Sequence, residues 1–217
     1  MTGSTTATGS TTATGTTREP ERTADTVVWG KRPWRSGSQP ESVEGPSLPA
    51  AVEVGDGRVV LARAEPADRD ALVDLYADYP VEQRSMGIPP RGGRDRVEAW
   101  VSRLLDRGHN VVARDGDRVV GHAVLSPASA DRPELATFVD PDYQNRGLGT
   151  RLCAAIVALA RDAGHAGVEL TVLESNPRAR HVYENLGFVV VDDPPSKPWR
   201  AMYLSLDDGS TEVDEND

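Results

Sequence analysis

Residues 134–163, ELATFVDPDYQNRGLGTRLCAAIVALARDA, constrain the fold more than any other stretch of the chain. A short apolar run, a polar connector, two glycines one residue apart and a long amphipathic segment read as strand, loop and helix. Gly147 and Gly149 bring main-chain N–H groups up to a ligand with no Cβ in the way. The helix behind them adds unsatisfied amides and the positive end of its dipole. This junction is therefore a candidate site for a phosphate or diphosphate.

The remaining elements arrange themselves around it. Val59 to Ala62 is a short apolar run, and Glu65-Pro66-Ala67-Asp68 is a helix-start signature for a helix over 67–78. Prolines and glycines at 80–93 break regular structure, and a second helix follows over about 94–107 with Val97, Trp100, Val101, Leu104 and Leu105 at helical spacing. Two β-branched runs flanking Asp115-Gly116 predict a hairpin over 110–125. The central strand takes 134–139, and a further strand takes 168–173. Asn176-Pro177 starts a helix with a capping residue and a proline in its first position. Strands near 188–192 and 200–206 complete an order β-α-α-β-β-β-α-β-α-β-β, with a right-handed parallel crossover through 134–173.

Organisation outside that core is read from composition. Residues 1–17 nearly repeat Thr-Gly-Ser-Thr-Thr-Ala-Thr, with no large apolar side chain to offset the entropy of ordering. The stretch to 54 stays rich in Pro, Gly, Ser and charge, apart from Trp29 and Trp34. It is assigned to a disordered tail and linker, with a folded domain over 55–207 and an acidic flexible tail over 208–217.

At 217 residues the chain suits one domain rather than two. A formal charge of -10 gives a nucleic-acid partner no support. Lysine occurs only at Lys31 and Lys197, so arginine supplies nearly all the positive charge. An acidic, lysine-poor surface fits a protein kept soluble in high salt, and GC-rich coding bias is a rival cause of the arginine excess. Loss of structure below about 1 M salt would favour the first. The single cysteine, Cys153, excludes an intramolecular disulfide and reads as a small core residue. His122 alternates with inward apolar residues as a strand histidine, and the four histidines have no metal-ligand spacing. No metal is expected. No apolar run has membrane-spanning length and no secretory leader is apparent, so the expectation is a cytoplasmic protein without a membrane partner, as monomer or homodimer.

Two motifs in sequence order carry a family resemblance. Gln144-Asn145-Arg146-Gly147-Leu148-Gly149 and Asn176-Pro-Arg-Ala-Arg-His-Val-Tyr-Glu-Asn-Leu-Gly-Phe188 resemble the two signatures of the GNAT (GCN5-related) N-acetyltransferase family, Gln-x-x-Gly-x-Gly and Asn-x-x-Ala-x-x-x-Tyr-x-x-x-Gly-Phe. The likeness covers about 57–206 and is strongest over 134–188. It implies a mixed α/β fold whose mostly antiparallel sheet has splayed central parallel strands and helices on both faces. It also implies acetyl-CoA as co-substrate and an amine acceptor, protein or small molecule. Its cofactor contacts fall on the strand end at Phe138 and Val139, on the loop from Gln144 through Asn145, Arg146, Gly147, Leu148 and Gly149 to Thr150, and on Asn176 and Arg180. Tyr183 occupies the position of a donor to the leaving thiolate, and Glu134 that of a general base, as in the lysine-acetylating branch. The helix–loop–helix around Arg84 and Met86 corresponds to the acceptor side, though these two residues read first as a solvated loop.

Each assignment has a plainer counterpart. Gly-Leu-Gly by itself is a strand-to-helix turn, Asn176 is a helix cap, Tyr183 is a core aromatic beside Leu186 and Phe188, and Glu134 is a strand-edge charge. A silent acyl-CoA-binding module is a second functional class. A dinucleotide-binding unit is a third, since Glu169 follows Gly149 by about twenty residues. Against it, Leu152 holds the third glycine position, and seven residues, 140–146, separate strand from first glycine.

Overall fold

A computed structural model of the chain describes residues 45–80, 88–191 and 198–207. The readings made for 1–44, for Arg84 and Met86, and for 208–217 lie outside the described residues. Among the described residues eight strands form one sheet: β1 (Ala50–Val54), β2 (Gly57–Arg63), β3 (His109–Asp115), β4 (Arg118–Ser126), β5 (Glu134–Val139), β6 (Gly167–Leu173), β7 (Val189–Val191) and β8 (Trp199–Ser205). Their spatial order is β1-β2-β3-β4-β5-β6-β8-β7, antiparallel at every pairing except β5 with β6. Four helices flank it: α1 (Arg69–Ala77), α2 (Arg94–Arg107), α3 (Leu148–Asp162) and α4 (Pro177–Asn185). No described helix is long and apolar enough to cross a membrane.

One strand is additional to the sequence expectation. Order begins before Arg58: Ala50–Val54 pairs with β2 from Ala50↔Leu61 to Val54↔Gly57. Val52 and Val54 alternate inward and join the core, while Ala51 and Glu53 face out. A five-residue alternation next to prolines is easily lost in a polar linker. The expected helix over 67–78 resolves into a 3-10 turn at Pro66–Asp68 followed by α1.

The core lies on both faces of the sheet. Nine residues of the fifteen-residue α3 are buried, so one apolar stripe does not suffice and the helix is covered on more than one side. The sheet covers one flank, with Leu48, Ala50, Val182 and Tyr183 packing against the same cluster. Gly121 lets α3 approach β4 closely, since a Cβ there would stand 2.8 Å from Leu152 Cδ1. On the opposite face α1 and α2 lay Tyr76, Trp100 and Tyr79 around Phe138, edge to face, with ring centroids 4.8–6.1 Å apart.

His122 is fully buried on that second face and its hydrogen bonds are complete. Asn110 Nδ2 donates to the Leu104 and Gly108 carbonyls, 2.8 Å each. Its Oδ1 is then the acceptor for His122 Nε2–H at 3.0 Å, and Nδ1 accepts from the Tyr76 hydroxyl. The ring is a satisfied core histidine. Burial lowers its pKa to about 3 from the ordinary 6.5. A base held neutral in the fold and free to charge when unfolded contributes stability above pH 6.5, and that contribution is lost as pH falls toward 3. The free energy of urea unfolding is therefore expected to decline through this window, and to decline less in His122→Gln. The comparison isolates His122 from His109, whose pKa is also lowered, chiefly by burial.

Candidate active site

The parallel strands β5 and β6 meet at one registered pair, Glu134↔Glu169, and diverge beyond it. The other edge of β5 stays paired with β4 from Ser126↔Glu134 to Gly121↔Val139. Asp140 N–H donates to the Val120 carbonyl at 3.0 Å, so by antiparallel alternation residues 134, 136 and 138 also turn their main-chain groups toward β4. Leu135, Thr137 and Val139 turn theirs toward the gap. Of the expected contacts at Phe138 and Val139, only Val139 thus presents backbone to it, while Phe138 spends its backbone on β4 and its ring on the aromatic cluster. The Val139 carbonyl accepts from Gln144 Nε2 at 3.0 Å, and the Val139 backbone also meets the Tyr79 hydroxyl. Gln144 therefore folds the connector back on the strand it leaves.

That connector is shaped by its own side chains. Asp140 accepts from Asp142 N–H at 3.0 Å and from Arg118 at 2.6 Å, which fixes the turn Pro141–Tyr143. Asn145 and Gly147 adopt left-handed conformations, φ 59 and 84. Asparagine and glycine tolerate that region where other residues are strained. Gly147 caps α3 without a side chain, so the first N–H groups of the helix, at Leu148, Gly149 and Thr150, have no side-chain cap. They open at the same end of the sheet as Val139, and a Cβ on Gly149 would meet only Val139 Cγ2, at 3.8 Å.

The arginines divide differently from the expectation. The Arg146 stem lies against Gly55 in the β1–β2 turn, and the side chain lines a cleft of about 220 Å³ with Arg58, Arg118 and Tyr143. Arg180 pairs with Glu184 one helical turn on, at 3.1 Å. Arg178 is the residue that reaches the loop, donating to Asn145 Oδ1 at 2.9 Å. Asn176 caps α4, its Oδ1 accepting from Ala179 N–H at 3.1 Å.

Tyr183 projects from α4, half-buried, its ring 5.8 Å from that of Phe188. Burial drives its pKa well above the ordinary phenol value, with the Thr137 hydroxyl pulling it back in part. Thr137 Oγ1 is also 3.2 Å from Cys153 Sγ on α3. Cys153 is buried and its thiol pKa is raised to about 12, which makes it a core thiol and no nucleophile. Glu134 is half-buried at the closed end of the gap. Burial first, and the facing Glu169 second, raise its pKa above the ordinary carboxylate value. Among the described residues no group of three His, Cys, Asp or Glu side chains could hold a metal ion.

Sequence reading did not single out Tyr79, Thr137 or Arg178. Arg178 was within reach of it, being two residues past a recognised cap. The other two are placed by tertiary structure alone.

Known proteins match this arrangement. The family model for the acetyltransferase (GNAT) family matches residues 69–188. The chain is 34% identical over 138 residues to an L-amino acid N-acyltransferase of Escherichia coli, spanning 61% of this chain and 80% of that protein. It is 30% identical over 115 residues to the ribosomal protein bS18-alanine N-acetyltransferase of E. coli, spanning 53% and 74%. A mycothiol acetyltransferase of Rhodococcus opacus is 29% identical over 136 residues, but the match spans only 37% of that longer protein. In fold, the GNAT domain of an S. lividans protein, PAT, superposes with a TM-score of 0.60 at 21% identity, covering 72% of this chain and 96% of that one. An acetyltransferase from Salmonella typhimurium, solved with its cofactor acetyl-CoA, gives 0.58 at 20% identity, covering 70% and 96%. With the matched residues making up more than half of its length and lying on the strand, loop and helices just described, the chain belongs to the GNAT family of acetyltransferases, enzymes that use acetyl-CoA.

Proposed function

We propose that the chain, working in the cytoplasm, transfers an acetyl group from acetyl-CoA to the primary amine of an amino acid, free or in a protein, by direct attack in a ternary complex. The observation that carries the reading is the alignment of two surfaces, the N-terminus of α3 without a side-chain cap and the edge of β5 beyond its single pair with β6, at the open end of one gap. Helix amides suit a diphosphate, and a free strand edge suits an amide-bearing arm. The two E. coli relatives, named for an L-amino acid and for an alanine, support that class of acceptor. For the lysine-acetylating branch, the position of Glu134 remains the argument.

Acetyl-CoA would supply an acyl group already activated as a thioester. The chain's residues do the rest. The amides of 147–150 hold the anionic end, with Arg178 steadying the loop through Asn145. Tyr183 faces the sulfur as a hydrogen-bond donor. A phenol pushed above its ordinary 10 is a weaker acid than a thiol of ordinary pKa about 8.5, so Tyr183 keeps its proton and stabilises the departing thiolate by hydrogen bonding. Glu134 lies on the face of β5 shared with Ala136 and Phe138, opposite to Thr137 and Tyr183. Base and thiolate donor thus approach the strand from opposite sides.

Calorimetric titration of the protein with coenzyme A tests the reading. Binding is expected, and acetyl-CoA at about 100 times Kd stabilises the fold by about 2.7 kcal/mol, whereas NAD leaves the melting temperature unchanged. A flat titration would remove the proposal. The role of Glu134 is tested separately. As its carboxylate must be deprotonated to accept a proton, kcat/KM in L-amino acid acetylation is expected to fall on the acidic side, about a midpoint above the ordinary glutamate value. Glu134→Gln is expected to lose that limb and to reach a plateau roughly tenfold lower, a modest loss because water can take the proton at a half-buried position. An unchanged limb would reject Glu134 as the base.

A further inference from the structure

Two histidines distant in sequence meet at the closed end of the gap. His109 is the first residue of β3, and His165 stands in the turn between α3 and β6. Their Nε2 atoms are 3.0 Å apart, with the rings tilted by 68°. His165 Nδ1 lies 3.0 Å from the Ala130 carbonyl. A carbonyl oxygen only accepts, so that nitrogen carries a proton. In the neutral His165 ring Nε2 is then a bare acceptor, and His109 donates to it through its own Nε2–H. One hydrogen thus lies between the rings. A first added proton leaves that hydrogen in place and makes the contact a charge-assisted bond. A second would set two N–H groups, on two charged rings, against each other across 3.0 Å.

This bond crosses the seam where the sheet is least paired. His109 belongs to the half from β1 to β5, and His165 leads through Ala166 into β6, the other wall of the gap. Beside it Ala166 N–H donates to the Asp131 carbonyl and Glu169 N–H to the Pro133 carbonyl, 3.1 Å each. The charged residues on the neighbouring elements are Arg63 at the end of β2, Arg107 at the end of α2, Asp131 and Arg132 in the β4–β5 connector, and Arg161 and Asp162 in the last turn of α3. Burial first, then His165, then Arg63 lower the His109 pKa from 6.5, and no carboxylate offsets them.

We infer that His109 and His165 are a proton-operated clasp: with one hydrogen between the rings they hold β6 to β3 at the closed end of the gap, and a second added proton opens it. Apart, both rings take a proton at the ordinary histidine value; clasped, they take only one readily. The closed state therefore binds fewer protons than the open one. Its stability is complete above pH 6.5 and declines as the pH falls through the lowered value of His109.

Amide hydrogen exchange of Ala166 and Glu169 reads the opening, because both amides bond across the seam. In the native chain their protection, corrected for the intrinsic pH dependence of exchange, is expected to fall by up to about tenfold per pH unit below 6.5. Leu61, inside the β1–β2–β3 ladder, is expected not to follow. His109→Gln should keep its protection through the same range, since a side-chain amide donates to the bare nitrogen of His165 and accepts from it once that ring is charged. His109→Ala is expected to lose protection at every pH. Long-range proton–nitrogen spectra of the rings test the order of donors: at neutral pH His165 carries its proton on Nδ1 and His109 on Nε2. Native protection that is independent of pH, or an equal decline in His109→Gln, overturns the inference, and so does a neutral His165 protonated on Nε2.

Discussion

A Gly149→Asp variant is expected to bind coenzyme A at least about 100-fold more weakly than the native chain, a loss of about 3 kcal/mol, while melting no lower. The two halves of this expectation come from one position. Gly149 is the second residue of α3, where an acidic side chain complements the helix dipole by roughly 0.3–1 kcal/mol. A Cβ there makes only an ordinary contact with Val139 Cγ2 at 3.8 Å. The fold therefore accepts the substitution. The ligand does not, because the new carboxylate stands among the amides that would hold a diphosphate, and like charges at close range repel. Gly149→Ala, with no charge, should lose far less. Calorimetric titration and thermal melting together decide the matter: unchanged affinity in the aspartate variant would move the diphosphate to another part of the molecule.

Tyr183→Phe is expected to lower kcat by roughly one to two orders of magnitude with KM for acetyl-CoA little altered. The substitution keeps the ring and its contact with Phe188 at 5.8 Å and removes only the hydroxyl. Thr137 keeps its contact with Cys153 at 3.2 Å. An interaction made with a developing thiolate and not with the intact thioester shows in kcat alone. Steady-state kinetics with L-amino acid acceptors provides the measurement. Native turnover in the variant would mean that water meets the leaving sulfur.

What could be read from the sequence followed the range of each signal. The strand–loop–helix at 134–163 was legible because its parts are contiguous: period-two and period-3.6 patterns joined by glycines that a left-handed turn requires. The second motif was legible through its cap and proline, and α4 begins at Pro177. The strand Ala50–Val54 was not, since its two inward valines acquire meaning only against α3. The phase of a short helix was a further limit. The sequence pointed to Arg180 alone, yet Arg180 turns to Glu184 and it is Arg178 that reaches Asn145. Which of Phe138 and Val139 opens toward the gap depends on the register with β4, which no local pattern carries. Tyr79 and Thr137 acquire their neighbours only when residues distant along the chain are brought together.

The lone rung at Glu134↔Glu169 has a mechanical consequence. Between strands, the half of the sheet from β1 to β5 joins the half from β6 to β7 at that rung, with further hydrogen bonds from Ala166 N–H to the Asp131 carbonyl and between His165 and His109. A linear amide-bearing molecule lodged between them would act as a ninth strand, knitting the halves into a continuous lattice. Affinity for such a molecule and the stiffness of the whole sheet would then be two readings of the same set of bonds.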